Sequence, residues 1–375
     1  MPRPTDRPSL DSSEASGARP RSSLTETAAL PEVMPAAVFM GLRDVRVEER
    51  SRPEIGADDV LIEVSHCGIC GSDLHFLLEW GGHEGAIEGH EYSGTIVAVG
   101  DAVTGWSVGE RVVGGPSPRC GTCEYCRAQR PSLCLARGRA GADDGAWQGA
   151  FARYKTIPAA QLVRIPDELT SKHAALAEPL AVALHGITRG GGPRLRTRWL
   201  VTGGGPIGFL SVAALRAAGV KDIVVSEPHE SRRALCERLG ASTVHPDELT
   251  TPPMPHDIVA EPFEVALECS GNNRAMEAAL AQLKRGGTLV LVGAGVRAPR
   301  FDNNRILLNE LVITGAFVYD HDGFPRALDL LASQDFPVDL LVEPEDIPLG
   351  GLLDAAIGLH EGKLAAKVMI VPRTD

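Results

Sequence analysis

Apolar and polar positions fall into two rhythms along the chain. Between Ala36 and about Thr104, short β-type runs such as Val60-Leu-Ile-Glu-Val64 and Gly94-Thr-Ile-Val-Ala-Val-Gly100 are broken by Gly and Pro. That pattern predicts a small, mostly antiparallel barrel whose loops carry the chemistry that lies between the strands. From Trp199 onward strand-like and helical runs alternate: Trp199-Leu-Val-Thr, a helical stretch up to Gly219, Asp222-Ile-Val-Val-Ser-Glu227, Val265-Ala-Leu-Glu-Cys-Ser-Gly271, a helix from Asn273 to Lys284, Gly287-Thr-Leu-Val-Leu-Val-Gly293 and Leu311-Val-Ile-Thr-Gly-Ala-Phe317. β runs separated by helices predict a doubly wound parallel sheet, so the fold class is α/β with a second, mostly-β part. One amphipathic helix, Phe324 to Ala332, and a last strand, Ala366-Val-Met-Ile-Val371, follow. Residues 1–33, rich in Ser, Pro, Ala and Arg, keep neither period and are expected to be disordered. Asp6, Asp11, Glu14, Glu26 and Glu32, spread through them, argue against a transit peptide, which is poor in acids.

A chain of 375 residues, 43% of them apolar, can bury a large core, and at roughly 100–200 residues per domain it divides more naturally into two domains than one. The formal charge of −12 argues against nucleic acid or an anionic membrane as the main partner. No run approaches the ~20 apolar residues needed to span a bilayer. Four of the eight cysteines have metal-site spacing and no signal peptide precedes them, so a reducing, cytoplasmic setting is expected.

The chemistry concentrates in Cys67-Gly-Ile-Cys70-Gly-Ser72-Asp73-Leu-His75 and in Gly89-His90-Glu91. A soft thiolate, an imidazole and carboxylates on separate short segments suit Zn²⁺, and an open site takes three protein ligands so that water or substrate can fill the fourth position. Taken alone, Cys67 and Cys70 read equally well as two small buried hydrophobes. Ser72 and His75 beyond them form a hydroxyl–imidazole pair able to carry a proton from a metal-bound alcohol to solvent. Cys120-Gly-Thr-Cys123-Glu-Tyr-Cys126 with Cys134 is a more specific signal: four thiolates at this spacing close tetrahedrally around one Zn²⁺ and leave no open position, which defines a structural site.

Pro179 interrupts an apolar helical stretch and pushes the residue before it out of the α region, so Glu178 is expected at a break between two helices. There it is either a helix-capping carboxylate or a ligand. In Gly203-Gly-Gly205-Pro206-Ile207-Gly208 a strand empties into glycines and a helix follows, the order that brings Gly205 against a pyrophosphate and lets Gly208 pack closely. Glu227 ends the next strand, where a carboxylate accepts ribose hydroxyls and repels a 2′-phosphate, which favours NAD; Arg232 and Arg233 nearby keep NADP open.

Together these segments resemble the zinc-dependent medium-chain alcohol dehydrogenase family, over nearly all of the chain from about Met34. The resemblance implies a GroES-like catalytic domain at 34–171 and 319–375, a structural-zinc lobe at 114–135 and a Rossmann cofactor domain at 172–318. It makes Cys70 and His90 ligands of a catalytic zinc and Cys67 a bystander. The third ligand falls at Glu178, as in the branch acting on polyols, vicinal diols and threonine, with Glu91 able to ligate or withdraw. Val292, Gly293, Ala294, Ala316, Phe317 and Val318 match positions that hold the nicotinamide, and Ser72, the cofactor ribose and His75 form the proton relay. The implied activity is NAD-linked interconversion of a secondary alcohol and its ketone, with two zincs per chain. The substrate is a polyol, vicinal diol, amino alcohol or cyclitol. A homodimer or homotetramer is expected to pair along the apolar strand from Leu311 to Phe317. Two rival readings share the fold: a zinc-free NADPH reductase of activated alkenes, which has no use for Cys70, His90 and Glu178 together, and a zinc- and NAD-binding regulatory protein, which would have lost ligands or relay.

Overall fold

The computed structural model describes residues 30–114, 120–136 and 148–373. Most of the 1–33 extension, and residues 115–119 of the expected lobe, lie outside the described residues. The hairpin β1 (Val33–Gly41) and β2 (Asp44–Ser51) opens the fold, with Met34 to Phe39 buried and β2 facing largely outward. β3 (Asp59–Gly68) follows, and Val60, Leu61, Ile62 and Val64 are wholly buried in it; each such side chain contributes roughly 1.5–3 kcal/mol of burial free energy. Next come α1 (Gly71–His75), a single π-helical turn (Phe76–Trp80), β4 (Glu91–Val99), β5 (Arg111–Gly114) and α2 (Glu124–Arg127). β6 (Tyr154–Pro158), β7 (Leu162–Arg164) and α3 (Ser171–Ala174) complete this part. β3 pairs antiparallel with both β4 and β6, and β5 links β4 to β7.

α4 (Ala177–Arg189) leads into β8 (Trp199–Thr202), α5 (Pro206–Ala217), β9 (Ile223–Ser226), α6 (Glu230–Arg238), β10 (Ser242–Val244), β11 (Phe263–Glu268), α7 (Asn273–Ala281), β12 (Leu283–Leu291), α8 (Asn303–Leu308) and β13 (Val312–Gly315). The sheet order is β10-β9-β8-β11-β12-β13 with every pairing parallel. This is the doubly wound order, and the crevice where chain direction switches lies between β8 and β11. α9 (Gly323–Leu331), β14 (Ile347–Pro348), α10 (Leu352–His360) and β15 (Met369–Val371) follow. β15 pairs antiparallel with β3, so the chain's last segment completes the first, mostly antiparallel sheet. One core cluster runs through both parts, joining Val113 and Met369 to Trp199, Phe209 and Val290 through the buried face of α4.

Two local expectations are corrected. The helix break falls at Ala175–Leu176, and Glu178 and Pro179 sit inside the first turn of α4. The first N–H groups of a helix have no intrahelical partner, so a proline there removes no bond. The helix from Asn273 ends at Ala281, and Leu283 and Lys284 belong to β12, where Leu283 pairs with Phe263 and Lys284 Nζ reaches Glu264 at 2.8 Å.

Candidate active site

The β3–β4 register aligns Gly68 with Glu91 and thereby brings two loops together. Cys70 caps α1 just beyond β3, His90 precedes β4, and Glu91 is the first residue of β4. Ligand-type atoms of Cys70, His90 and Glu91 lie within 4.8 Å of one another. Asp73, fully buried, accepts the Cys70 N–H at 2.8 Å through Oδ2, and its Oδ1 lies 3.7 Å from His90 Nδ1. Ser72 Oγ is 3.5 Å from His90 Nε2. Glu178 is buried at the start of α4, outside the close trio but near enough to feel His90 and Glu91.

Charge is crowded here. Burial pushes the Glu178 carboxyl up to about 7, His90 opposing and Glu91 adding to the rise. Burial works against charge on His90, yet the Cys70 thiolate and Asp73 outweigh it and hold the imidazole well above the usual histidine range. Burial also drives the Cys67 thiol far up, as suits a bystander. One cation faces this group from the far end of the chain: Lys367 Nζ donates to Glu91 Oε1 and Oε2 at 2.8 and 2.6 Å and to the Ile69 carbonyl at 2.9 Å. Sequence reasoning missed Lys367. Its signal was a lone lysine inside the apolar run Ala365 to Val371.

The donor set fits a metal. Thiol, imidazole and carboxylate converge as zinc's preferences require, and the unpartnered Asp73 oxygen beside His90 suits an imidazole held by its other nitrogen. Cys120, Cys123, Cys126 and Cys134 also bring their sulfurs within 4.8 Å of one another. The Cys123 N–H donates to Cys120 Sγ at 3.3 Å and the Cys120 N–H to Cys134 Sγ at 3.4 Å. Amides of Thr122 and Cys123 hold the Cys120 thiol down to about 6. The Cys120 and Cys134 sulfurs thus accept backbone N–H groups, and none of the four cysteines forms a disulfide. The lobe is tied down at Asp320, which accepts Ser132 Oγ at 2.7 Å and lies 3.4 Å from Arg130 Nε and 3.5 Å from His185 Nδ1.

At the carboxyl end of β8 the glycine turn has the predicted form. Gly203 takes φ +93°, and a Cβ there would meet Ser270 at 2.9 Å; one on Gly208 would lie 1.8 Å from the Gly203 carbonyl oxygen. Pro206 opens α5, with Ile207 beside it and Gly205 as the cap. Glu227 stands at the end of β9, but its carboxylate faces the turn: Oε2 accepts the Gly204 N–H at 2.7 Å and Oε1 the His229 N–H at 2.9 Å. Arg233 donates to the Glu227 and Pro228 carbonyls, and Arg232 to the Leu359 carbonyl at 2.5 Å. Both arginines are thus engaged with backbone oxygens. Val292, Gly293 and Ala294 follow β12, and Ala316, Phe317 and Val318 follow β13, at the same edge of the sheet as the glycine turn. Val318 has φ +47°, a backbone state uncommon for a β-branched residue. A second missed residue is Glu268, a fully buried carboxylate that accepts the Ser270 N–H at 2.8 Å and the Gly271 N–H at 3.1 Å and so shapes the turn packed on Gly203.

A GroES-like lobe bearing a thiol–imidazole–carboxylate centre, joined to a doubly wound sheet with a glycine turn, defines a dehydrogenase of the medium-chain class. Residues 56–167 match the alcohol dehydrogenase GroES-like domain and residues 206–333 the zinc-binding dehydrogenase domain. The chain is 33% identical to an L-threonine 3-dehydrogenase of Vibrio parahaemolyticus over 72% of its own length and 79% of that protein. It is 33% identical to a sorbitol dehydrogenase of Bacillus subtilis over 82% and 88%. Among solved structures, the 2R,3R-butanediol dehydrogenase of Bacillus subtilis superposes with a TM-score of 0.78 at 30% identity, covering 91% of this chain and all of the other. A zinc-binding dehydrogenase of Sinorhizobium meliloti bound to NADP superposes at 0.79 with 31% identity, again over 91% of this chain and 100% of that one. The chain belongs to the zinc-binding medium-chain alcohol dehydrogenase family and is an alcohol oxidoreductase.

Proposed function

We propose that this chain is a zinc-dependent, NAD-linked dehydrogenase interconverting a secondary alcohol of a polyol, vicinal diol, amino alcohol or cyclitol and its ketone. The observation that carries the reading is the convergence of Cys70, His90 and Glu91, with Glu178 behind them on α4. α4 also reaches the cofactor side, because its Gly186 packs against Val292 beyond β12. Cys70, His90 and one of the two glutamates would hold the catalytic zinc, and Cys120, Cys123, Cys126 and Cys134 the structural one. Bound there, zinc supplies the Lewis acidity that lowers an alcohol's pKa, and the nicotinamide supplies the hydride acceptor. The protein's own part is to orient the alcohol, exclude water and carry its proton outward by way of Ser72 and His75. Lys367 balances the carboxylates around the ligands. The relatives' names, threonine, sorbitol and butanediol dehydrogenases, support hydroxyl groups with a vicinal heteroatom as the substrate class. NAD is favoured by the buried acid Glu227 at the end of β9, beside which Arg233 is held by the Glu227 and Pro228 carbonyls and Arg232 by the Leu359 carbonyl. Gly203, Gly205, Pro206, Ile207 and Gly208 would cradle the pyrophosphate, and Val292 to Ala294 with Ala316 to Val318 the nicotinamide.

The test is metal content and turnover together. The purified protein is expected to hold two zincs and to reduce NAD faster than NADP with at least one member of a panel of polyols, vicinal diols, amino alcohols and cyclitols. A chelator should take the catalytic zinc first, abolishing activity with the fold retained. Turnover that survives Cys70→Ser, or a metal content confined to the four-cysteine lobe, would overturn the reading.

A further inference from the structure

His75 closes α1, and the chain then widens into the π-helical turn Phe76–Trp80, which Gly81 ends at φ +75°. Such turns are rare and recur at functional sites. This one has a specific product. Glu79 Oε2 comes to 2.8 Å from His75 Nδ1. The Trp80 indole lies flat on the same imidazole, with ring centroids 4.5 Å apart and planes 6° from parallel. At ~100° per residue an α-helix would set positions i and i+5 about 140° apart, so His75 and Trp80 could not stack. The wider turn brings Glu79 and Trp80 onto His75 together. Its other face is anchored: Leu77 and Leu78 are buried, the Leu77 carbonyl accepts the Arg43 N–H at 2.9 Å, and Phe76 meets Trp80 edge-on at 6.1 Å.

A carboxylate offers only acceptors, and a neutral imidazole has one N–H and one lone pair. An N–H at Nδ1 therefore satisfies Glu79 and leaves Nε2 as the basic nitrogen. We propose that Glu79 and Trp80 are positioning residues for His75: Glu79 selects the Nδ1–H tautomer, and Trp80 fixes the ring plane in which Nε2 receives the alcohol's proton. The inference rests on the dehydrogenase reading above. The nicotinamide, when bound, would supply the acceptor for the carbinol hydride, and the alcohol's O–H proton, relayed from Ser72, would form the second N–H bond of His75. The resulting imidazolium faces the Glu79 carboxylate until water takes the proton. Elsewhere this arrangement of carboxylate, imidazole and proton-donating hydroxyl sets the tautomer and steadies the charged ring.

The experiment uses ¹⁵N-histidine-labelled, deuterated holoenzyme, with His75→Asn identifying the His75 resonances. The unmodified protein is expected to show Nδ1–H at His75. Glu79→Ala should shift that ring toward Nε2–H and lower kcat about ten-fold, a fraction of the roughly 10²–10⁴-fold a placed acid–base group contributes. KM, zinc content and melting temperature should be unchanged. Glu79→Gln keeps an acceptor oxygen and should restore the tautomer, and Trp80→Ala should lower kcat without changing the tautomer. An unchanged tautomer in Glu79→Ala overturns the proposal whatever happens to kcat. A changed tautomer with unaltered kcat, in a protein where His75→Asn is also fully active, keeps the positioning and removes the relay instead.

Discussion

Lys367 and Glu91 meet with 1% of either side chain exposed, and their positions differ by 276 in the sequence. Burial alone would drive the ammonium toward neutrality, but Glu91 and Cys70 reverse that and raise the Lys367 pKa. Removing one partner of a buried pair leaves the other charge uncompensated, at a cost of about 3–5 kcal/mol. Lys367→Met is therefore expected to lower unfolding stability by about that amount, read as a shift in the denaturant midpoint, and to weaken zinc retention at Cys70 and His90. A midpoint equal to that of the unmodified chain would show that the pair is dispensable. The glycines from 203 to 208 were legible because strand, glycine turn and helix follow one another within a few residues; Cys70 and His90, twenty residues apart, were paired as ligands only through the family resemblance, and the β3–β4 register is what brings them together. Lys367, Glu268 and Glu79 were not legible. Lys367 reaches Glu91 only through the β3–β15 register, Glu268 acts on a turn that looks like any Ser-Gly loop, and Glu79 needs a π turn that no periodicity announces.

At the level of elements, β3, β8, β9 and β11 were legible as short apolar runs bounded by turn residues, whereas β1, β2, β5, β6, β7, β10 and β14, shorter or more polar, were not marked. The errors came where one residue satisfies two rules. Pro179 breaks a helix from within but is harmless in a first turn, and Lys284 continues a helical pattern until Glu264 draws it into a strand. A pH prediction belongs to the junction of β3, α3 and β14. His66 Nε2 lies 3.4 Å from Asp346 Oδ2, Lys172 Nζ is 2.8 Å from Asp346 Oδ1, and His173 Nε2 is 3.3 Å from Asp339 Oδ1. Burial lowers the pKa of both histidines, with Lys172 adding to the effect and the aspartates opposing it. A depressed folded-state pKa means that the native state binds fewer protons than the unfolded chain, whose histidines titrate near ~6.5. The stabilising contribution is then present above that pH and is lost as pH falls through the lower folded values. The His66 contribution is read as the difference between the unmodified protein and His66→Gln, because Glu88 and Glu178, both pushed up to about 7, contribute the opposite slope as they protonate. As pH falls below about 6.5 the denaturant midpoint of the unmodified protein should fall relative to that of His66→Gln, and a difference that stays constant or runs the other way would contradict the assignment.

At the scale of the whole molecule, an apolar region lies uncovered at the β13 edge, where Val312 is 50% and Phe317 53% exposed, with Leu307 at 71% and Leu308 at 54% on the preceding α8. The expected edge position of this strand is what the structure shows, and among the described helices none is long and apolar enough to cross a membrane. A flat edge invites another chain, and a two-fold axis pairs both edges while closing the assembly. Arg189 bonds to the Gly315 carbonyl and Thr314 Oγ1, so part of the edge is already occupied and pairing must run mainly through Val312 and its neighbours. The structure also decides which substitution is informative. Ile313 packs on the core formed by Leu289 and Leu311, so a lysine there would test folding as much as assembly. Val312→Lys places the charge where the isolated chain is open to water and a paired edge is not. A dimer or tetramer is expected at micromolar concentration. Val312→Lys should shift it toward monomer, because pairing would bury an ammonium without a partner, while circular dichroism should show the fold retained and the melting temperature should fall only by what assembly contributes. Light scattering that found the unmodified protein monomeric at that concentration would remove the β13 edge as an interface and leave its apolar surface to be explained by another partner.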